Sequence, residues 1–227
     1  MNRASRDLGS AARPERRVRA EQVEATRSRI LLAAERLFAE HGVFSVSNRQ
    51  ISEAAGQGNN AAVGYHFGTK SDLVRALVQR HAVPMEAIRR RLFDEYAGST
   101  ELRDWVTCVV RPFTDHLATL GVPSWYARFG AQLMTEPKLR ELAAGELGDA
   151  PLIHTVNDAL HRCLPALTAE VCRERDGMAV TLIVHYCAQR ERTLSPGVDA
   201  TAAWATTATG LIDAIEGLYR APMSHRA

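Results

Sequence analysis

Six amide, phenol, imidazole and ammonium side chains lie within the 14 residues from position 57 to position 70. They are Gln57, Asn59, Asn60, Tyr65, His66 and Lys70. Side-chain amides can read the edges of bases, and phenol, imidazole and ammonium groups can donate to phosphate oxygens. Ser47 and Arg49, a little earlier in the chain, can also contact phosphates. This set of groups suits the recognition of a nucleic acid.

Short helices must hold these side chains in place. The spacing of Ile30, Ala34 and Leu37 predicts a first helix over residues 26–41, with Thr26 as its N-cap. The helix is expected to end at a glycine, which tolerates the left-handed conformation found after many helices.

Two further helices are predicted directly after the first. Ser47 can cap a second helix over residues 48–55, and Asn59 or Asn60 can cap a third that ends near His66. Three short helices within about 45 residues, with a glycine at the second turn, are typical of a helix-turn-helix.

A longer fourth helix is expected next. Thr69 and Asp72 have the spacing of a capping box, with Asp in place of the usual Glu. Pro84 lies inside the helical pattern and predicts a kink there or a break just before it.

The rest of the chain also follows a helical pattern. Further helices are predicted over residues 100–120, 124–135, 137–144, 150–163, 168–192 and 199–219. No stretch alternates apolar and polar residues long enough to predict a strand. The expected fold class is therefore all-α.

The segments that carry these polar groups resemble the TetR/AcrR family of transcriptional regulators. The resemblance rests on Arg29–Gly42, on Ser47-Asn48-Arg49-Gln50-Ile51-Ser52-Glu53-Ala54-Ala55-Gly56 and on Tyr65-His66-Phe67-Gly68-Thr69-Lys70, and it covers about residues 26–80. It implies that the third helix reads double-stranded DNA, while Tyr65, His66 and Lys70 contact phosphates. Compared with most members, one extra residue separates Gly56 from Tyr65.

Simpler roles remain open for several of these residues. His66 could be a cap or a packing residue, and Asn59 and Asn60 could serve only as caps. Arg49 could pair with Glu53 one helical turn away.

The charge of the chain is unevenly distributed. Residues 1–80 carry a net charge of +5, and residues 81–227 carry −3. A basic N-terminal part suggests a polyanionic partner.

We predict three parts of the chain: a disordered basic arm over residues 1–25, a DNA-binding domain over 26–70 and a ligand-binding and dimerisation domain over 71–227.

The last two predicted helices have the composition of an interface. The helix near 169–192 is apolar nearly all round, and the helix near 199–219 has an apolar stripe flanked by small residues. The family resemblance implies that both form a four-helix homodimer interface. An ordinary core within one chain is the alternative.

Large side chains on the middle helices could line a cavity for a small-molecule effector. The predicted lining residues are Trp105, Phe113, His116, Trp125, Tyr126 and Phe129. A plain hydrophobic core would have the same composition. The histidines lack metal-ligand spacing, and we expect no metal and no cofactor.

The predicted function is that of a repressor released from a palindromic operator by a small molecule. A ligand-independent DNA-binding regulator or activator is the alternative. No Gly-rich phosphate loop or nucleophile motif suggests an enzyme. Without an apolar run long enough to span a membrane, or a signal peptide, we expect a cytoplasmic protein with no membrane partner.

Cys108, Cys163, Cys172 and Cys187 are expected to be buried free thiols, with a redox sensor or disulfide as the alternative.

Overall fold

The computed structural model describes residues 12–148 and 151–223, and every regular element in this part of the chain is helical. The ten helices are α1 (Ala12–His41), α2 (Asn48–Ala54), α3 (Ala62–Phe67), α4 (Lys70–Glu95), α5 (Leu102–Thr119), α6 (Tyr126–Thr135), α7 (Pro137–Gly148), α8 (Pro151–Arg162), α9 (Ala169–Thr193) and α10 (Ala200–Arg220). The all-α prediction is confirmed.

Side-chain caps fix the beginnings of the helices that matter most for the predicted site. Ser47 accepts from the backbone of Gln50 at the start of α2, and the Gln50 side chain accepts from the Ser47 backbone in return. Thr69 and Asp72 form the predicted capping box at the start of α4. These reciprocal bonds satisfy amides that have no partner within the helix.

The first helix begins much earlier than predicted. Residues 12–25 were assigned to the disordered arm, yet α1 is helical from Ala12 and Thr26 lies inside it. The ion pair between Arg17 and Glu21, one helical turn apart, supports this exposed extension. Residues 1–11 of the predicted arm lie outside the described residues.

The fourth helix continues through Pro84, so the predicted break does not occur. Leu73, Leu77 and Leu92 on α4 are buried, and the helix packs against α5 and α7. Apolar burial on both sides of the proline stabilises the helix despite the backbone bond that proline removes.

The C-terminal helices pack around one continuous core. Helix α10 lies against α5, and α9 lies against α6. Trp204 and Ile215 of α10 and Phe129 of α6 are almost fully buried. Helix α1 also contacts α6, so the N-terminal helices rest directly on the C-terminal ones. None of the described helices is long and apolar enough to cross a membrane.

Candidate DNA-binding surface

Helices α2 and α3 form a compact corner on α1 and α4. Ile51 of α2 and Val63 of α3 are fully buried, and Phe38 of α1 is buried too. Gly56 adopts a φ of 67°, which turns the chain after α2 at a conformation that side chains other than glycine rarely adopt. The buried core fixes the direction in which the exposed face of α3 points.

The segment between α2 and α3 is held by its own hydrogen bonds. The Gln57 side chain donates to the Ala55 carbonyl over 3.0 Å, and the Asn59 side chain accepts from the Ala61 amide over 2.8 Å. Ala61 is the N-cap of α3 and forms no side-chain cap bond. The prediction that Asn60 or Asn59 is the N-cap residue is therefore wrong, because Asn59 caps the turn just before the helix.

Asn60 differs from its neighbours in having a free side chain. It is exposed, and only its backbone carbonyl is engaged, by the Ser52 hydroxyl at 3.3 Å. Its amide remains available for an external partner. Among the three predicted base-reading amides, Asn60 is the one whose side chain forms no hydrogen bond with the described part of the chain.

The end of α3 presents polar groups to solvent. The Tyr65 side chain lies on the surface, with 81% of the residue exposed, and its ring meets that of His66 edge to face at 5.0 Å. Arg49 on α2 is exposed as well and forms the alternative ion pair with Glu53, at 2.8 Å. An exposed pair of this kind is weak in water, so Arg49 can exchange Glu53 for a phosphate at small cost.

The Lys70 ammonium group faces the interior of the helix-turn-helix. It donates to the carbonyl of Val43 over 3.2 Å and to the carbonyl of Val46, in the loop between α1 and α2. Burial lowers the pKa of Lys70. An ammonium group has three donor hydrogens, so these carbonyls leave one for a phosphate. The predicted phosphate contact of Lys70 remains a prediction.

Arg27 is a functional candidate that sequence reasoning missed. Its guanidinium group donates to the His66 carbonyl at the end of α3 and lies 4.3 Å from the centre of the Phe67 ring. Arg27 and His66 are 39 positions apart, so no local spacing could have revealed the contact.

The predicted effector-site residues fall into two groups. Tyr126 contacts Phe113, Phe129 and His116 in one aromatic cluster. Trp105 lies apart, packed against Phe93 and donating to the Ser99 carbonyl. Trp125, just before α6, is half-buried against the core. We therefore restrict the predicted effector site to the cluster on α5 and α6.

A buried polar chain joins this cluster to the N-terminal helices. The Nε2 atom of His81 on α4 lies 2.7 Å from the carboxylate of Glu35 on α1. The ring of His81 stacks on Tyr126, and its Nδ1 atom contacts His116 of α5. The Nδ1 atom of His116 is buried and has no partner in the structure. Burial, followed by the neighbouring His81, lowers the pKa of His116 to about 4.

A groove of about 920 Å³ lies between α6, α7 and α9. Its largely apolar lining includes Met134, Ala143, Met178 and Leu182, and none of the predicted effector-site residues lines it. Met178 and Leu182 belong to the outer face of α9.

Helices α9 and α10 leave one side uncovered in the single chain. Helix α9 exposes Met178, Leu182 and Tyr186 along one outer face, and Val180 is exposed as well. The outer face of α10 exposes small residues, which are Ala202, Ala205, Thr206, Thr209, Gly210, Ala214 and Gly217. Small residues allow another helix to approach closely, which is what the predicted dimer interface requires.

The four cysteines are free, and three are buried while Cys163 is half-buried. Burial raises the pKa of Cys108 and of Cys187 to about 12, which disfavours the reactive thiolate. Within residues 12–148 and 151–223, no three His, Cys, Asp or Glu side chains are grouped so as to hold a metal ion.

These features define a class of protein: a helix-turn-helix DNA-binding regulator with a helical C-terminal domain. A family model described as "Bacterial regulatory proteins, tetR family" matches residues 30–77. A second, "Tetracyclin repressor-like, C-terminal domain", matches residues 107–217. The chain belongs to the TetR family of transcriptional regulators, which are DNA-binding proteins and not enzymes.

One curated relative is similar over the N-terminal region. The HTH-type transcriptional repressor AcnR of Corynebacterium glutamicum is 38% identical over 63 residues. The match spans 28% of this chain and only 33% of the relative.

Solved structures share the fold at low sequence identity. The fatty acid degradation regulator FadR from Bacillus halodurans is 18% identical, with a TM-score of 0.55 over 82% of this chain and 97% of that one. A mutant of HlyIIR is 15% identical, with a TM-score of 0.54 over 80% and 96%. A TetR family regulator from Marinobacter aquaeolei VT8 is 16% identical, with a TM-score of 0.51 over 84% and 97%. At these identities the likeness concerns the fold alone.

Proposed function

We propose that the protein is a homodimeric repressor that binds a palindromic operator through α3 and leaves it when a small molecule binds the C-terminal domain. The single observation that carries the DNA-binding part is the exposed, unengaged Asn60 side-chain amide, on a corner held by buried Ile51 and Val63. Rigid support and free polar groups are what base-edge readout requires.

The proposed DNA contacts divide into two kinds. Asn60 faces the bases, while Gln57 and Asn59 hold the turn before α3. The contacts to the DNA backbone are proposed for Ser47, Arg49, Tyr65 and His66. The net charge of +5 over residues 1–80 supports placing the N-terminal helices against the DNA. Arg16, Arg17 and Arg19 extend the basic surface along α1.

The outer faces of α9 and α10 support the proposed homodimer. Exposed apolar side chains on α9 and an exposed small-residue face on α10 would be buried when two copies pack as four helices. The two-fold symmetry of such a dimer predicts a palindromic operator with half-sites about 34–36 Å apart.

The cluster of Phe113, Tyr126 and Phe129 is the proposed effector site. The unpartnered Nδ1 atom of His116 supports this choice, because buried polar atoms are seldom left without a hydrogen bond. An apolar, aromatic compound with one hydrogen-bonding group would match the chemistry of the cluster. The relevant probe is a panel of aromatic compounds with a single hydroxyl or carboxyl group.

The experiment that tests this function begins with selection of duplexes from a random library by the full-length protein. We expect a palindromic site occupied by two copies, and release of the labelled duplex by a member of the aromatic panel. Equal affinity for all sequences would contradict the operator proposal. If specific binding occurs but no compound of the panel shifts it, the ligand-independent regulator is favoured instead.

A further inference from the structure

Two cations of the helix-turn-helix bind backbone carbonyls of the protein itself. Arg27 of α1 binds the His66 carbonyl, and Lys70 of α4 binds the Val43 and Val46 carbonyls. Each bond crosses a junction between helices. The Arg27 bond ties α1 to the end of α3, and the Lys70 bonds tie α4 to the loop before α2.

Helix α3 needs support from outside because it has only six residues. Isolated helices of this length are unstable in water, and most helical stability in proteins comes from tertiary contacts. Ala61 gives α3 no side-chain cap. Arg27 binds a carbonyl at the C-terminal end, where the helix dipole is negative, and also stacks on Phe67. Arg27 thus supplies a charged contact at the end that carries Tyr65 and His66.

The position of Lys70 has a matching explanation. A positive charge at the first residue of a helix is unfavourable for the helix dipole. The two carbonyls of the α1–α2 loop offset this cost, and Asp72 in the same turn lies close to Arg75 at 2.8 Å, not to Lys70. Lys70 therefore fixes the loop from which Ser47 begins α2.

We propose that Arg27 and Lys70 are positioning residues that set the orientation of α2 and α3 before DNA binds, and thereby determine sequence preference. The proposal rests on the DNA-binding function proposed above and deepens it. In this role the two cations raise the affinity for the selected DNA sequence, whereas a cation that only contacts phosphates raises the affinity for all DNAs alike.

The two roles predict different salt dependence. Losing a cation that contacts a phosphate lowers the slope of log affinity against log salt by about one unit and weakens binding to all DNAs alike. Losing a positioning cation leaves the slope unchanged and weakens binding to the selected duplex more than to a scrambled one. Because hydrogen bonds to charged groups contribute about 1.5–3 kcal/mol, we expect a loss of about tenfold or more on the selected duplex.

The experiment uses full-length Arg27→Gln and Lys70→Gln with the duplex selected by the unmodified protein and with a scrambled duplex. Arg29→Gln is the matched control, because Arg29 is an exposed cation of α1 whose side chain donates to Thr26 of the same helix. We expect each test variant to lose affinity for the selected duplex at an unchanged salt slope. A slope lower by about one unit, with equal losses on both duplexes, would overturn the proposal in favour of phosphate contacts.

Two further measurements keep the test independent of folding and of the proposed function. Arg27→Lys retains a cation and a donor, so it should restore part of the specific affinity lost in Arg27→Gln. In the free protein, Arg27→Gln should accelerate amide hydrogen exchange at Tyr65 to Gly68, while exchange in α9 and α10 stays unchanged. Unchanged exchange in α3 would overturn the positioning role even if DNA binding were affected. If the unmodified protein selects no duplex, the proposed function fails, while the exchange measurement still decides whether Arg27 holds α3.

Discussion

The Nδ1 atom of His81 lies 2.7 Å from the Nε2 atom of His116, although the two histidines belong to different helices and both are buried. With Glu35 behind His81, the contact joins α1, α4 and α5. It links the helices that carry the DNA-reading corner to the proposed effector site.

The His81–His116 contact predicts a dependence of stability on pH. The pKa of His116 is about 4 in the folded protein and about 6.5 when the chain is unfolded. Between these values the unfolded chain binds more protons, so the contribution of His116 to stability is full above pH 6.5 and is lost as the pH falls toward 4. We expect this contribution to the free energy of unfolding to be about 2–3 kcal/mol.

The measurement is urea unfolding between pH 4 and pH 7.5. His116→Gln should remove the contribution of His116 to the slope of the free energy of unfolding against pH, because glutamine does not titrate but can still donate to His81. His154→Gln, at an exposed histidine of α8, should leave the slope as it is. Identical pH profiles for the unmodified protein and His116→Gln would contradict the prediction.

Glu191 is expected to be a major stabilising residue. Its buried carboxylate accepts from the Ser124 hydroxyl at 2.8 Å, the backbone amides of Ala127 and Arg128, and the Arg128 guanidinium. These bonds anchor the start of α6 to α9. Because Glu191→Ala would leave buried donors unpaired, we expect a loss of about 3–5 kcal/mol in the free energy of unfolding. Denaturant titration checks it, with exposed Glu141→Gln as the control; a loss below about 1 kcal/mol would count against the prediction.

Asn60 is expected to govern base preference. Its exposed side-chain amide forms no hydrogen bond within residues 12–148 and 151–223, so Asn60→Ala should leave the fold intact. Losing a bidentate contact to an adenine should reduce discrimination at one position of each half-site by about 1–3 kcal/mol. Asn59→Ala should instead weaken binding to all sequences, because it removes the cap on the Ala61 amide. Repeating the random-library selection with each variant distinguishes these effects, and an unaltered preference in Asn60→Ala would refute the assignment.

Gly210 offers a test of the dimer interface. It lies on the exposed small-residue face of α10, and a Cβ atom placed there meets no atom within 4 Å in the single chain. Gly210→Arg should therefore be tolerated by the protomer while preventing close approach of a second copy. Gly145→Arg on α7 has equal free space and should leave the assembly unchanged. Sedimentation should give a monomer only for Gly210→Arg; a persistent dimer would place the interface elsewhere.

The sequence predicted those features that depend on neighbouring residues. Ser47 and Thr69 cap the helices that they were expected to cap, because a cap acts over two or three positions. The early start of α1 was missed because residues 16–25 are all exposed, so apolar periodicity gave no signal there.

Features that depend on distant residues could not be predicted. A basic residue in a basic region can face a phosphate or a carbonyl, and Lys70 meets carbonyls that lie 24 and 27 positions away. In the buried polar chain, His81 is 46 positions from Glu35 and 35 positions from His116. The effector-site residues were predicted from their large side chains. Only the packed structure shows that Phe113 belongs to the cluster on α5 and α6, whereas Trp105 lies apart against Phe93.

Pro84 lies three residues beyond His81, so α4 is anchored to α1 and α5 next to the place where its backbone bonding is interrupted. The segment from Lys70 to Pro84 is about 21 Å long at 1.5 Å per residue. Rotating that arm by about 5° at the proline would displace its DNA-facing end by about 2 Å. In a two-fold dimer the displacements of the two arms can add, giving about 4 Å against a half-site separation of about 34–36 Å. A rotation of that size, transmitted through the contacts of His81 with Tyr126 and His116, would produce a misfit of about one base-pair step at the proposed operator.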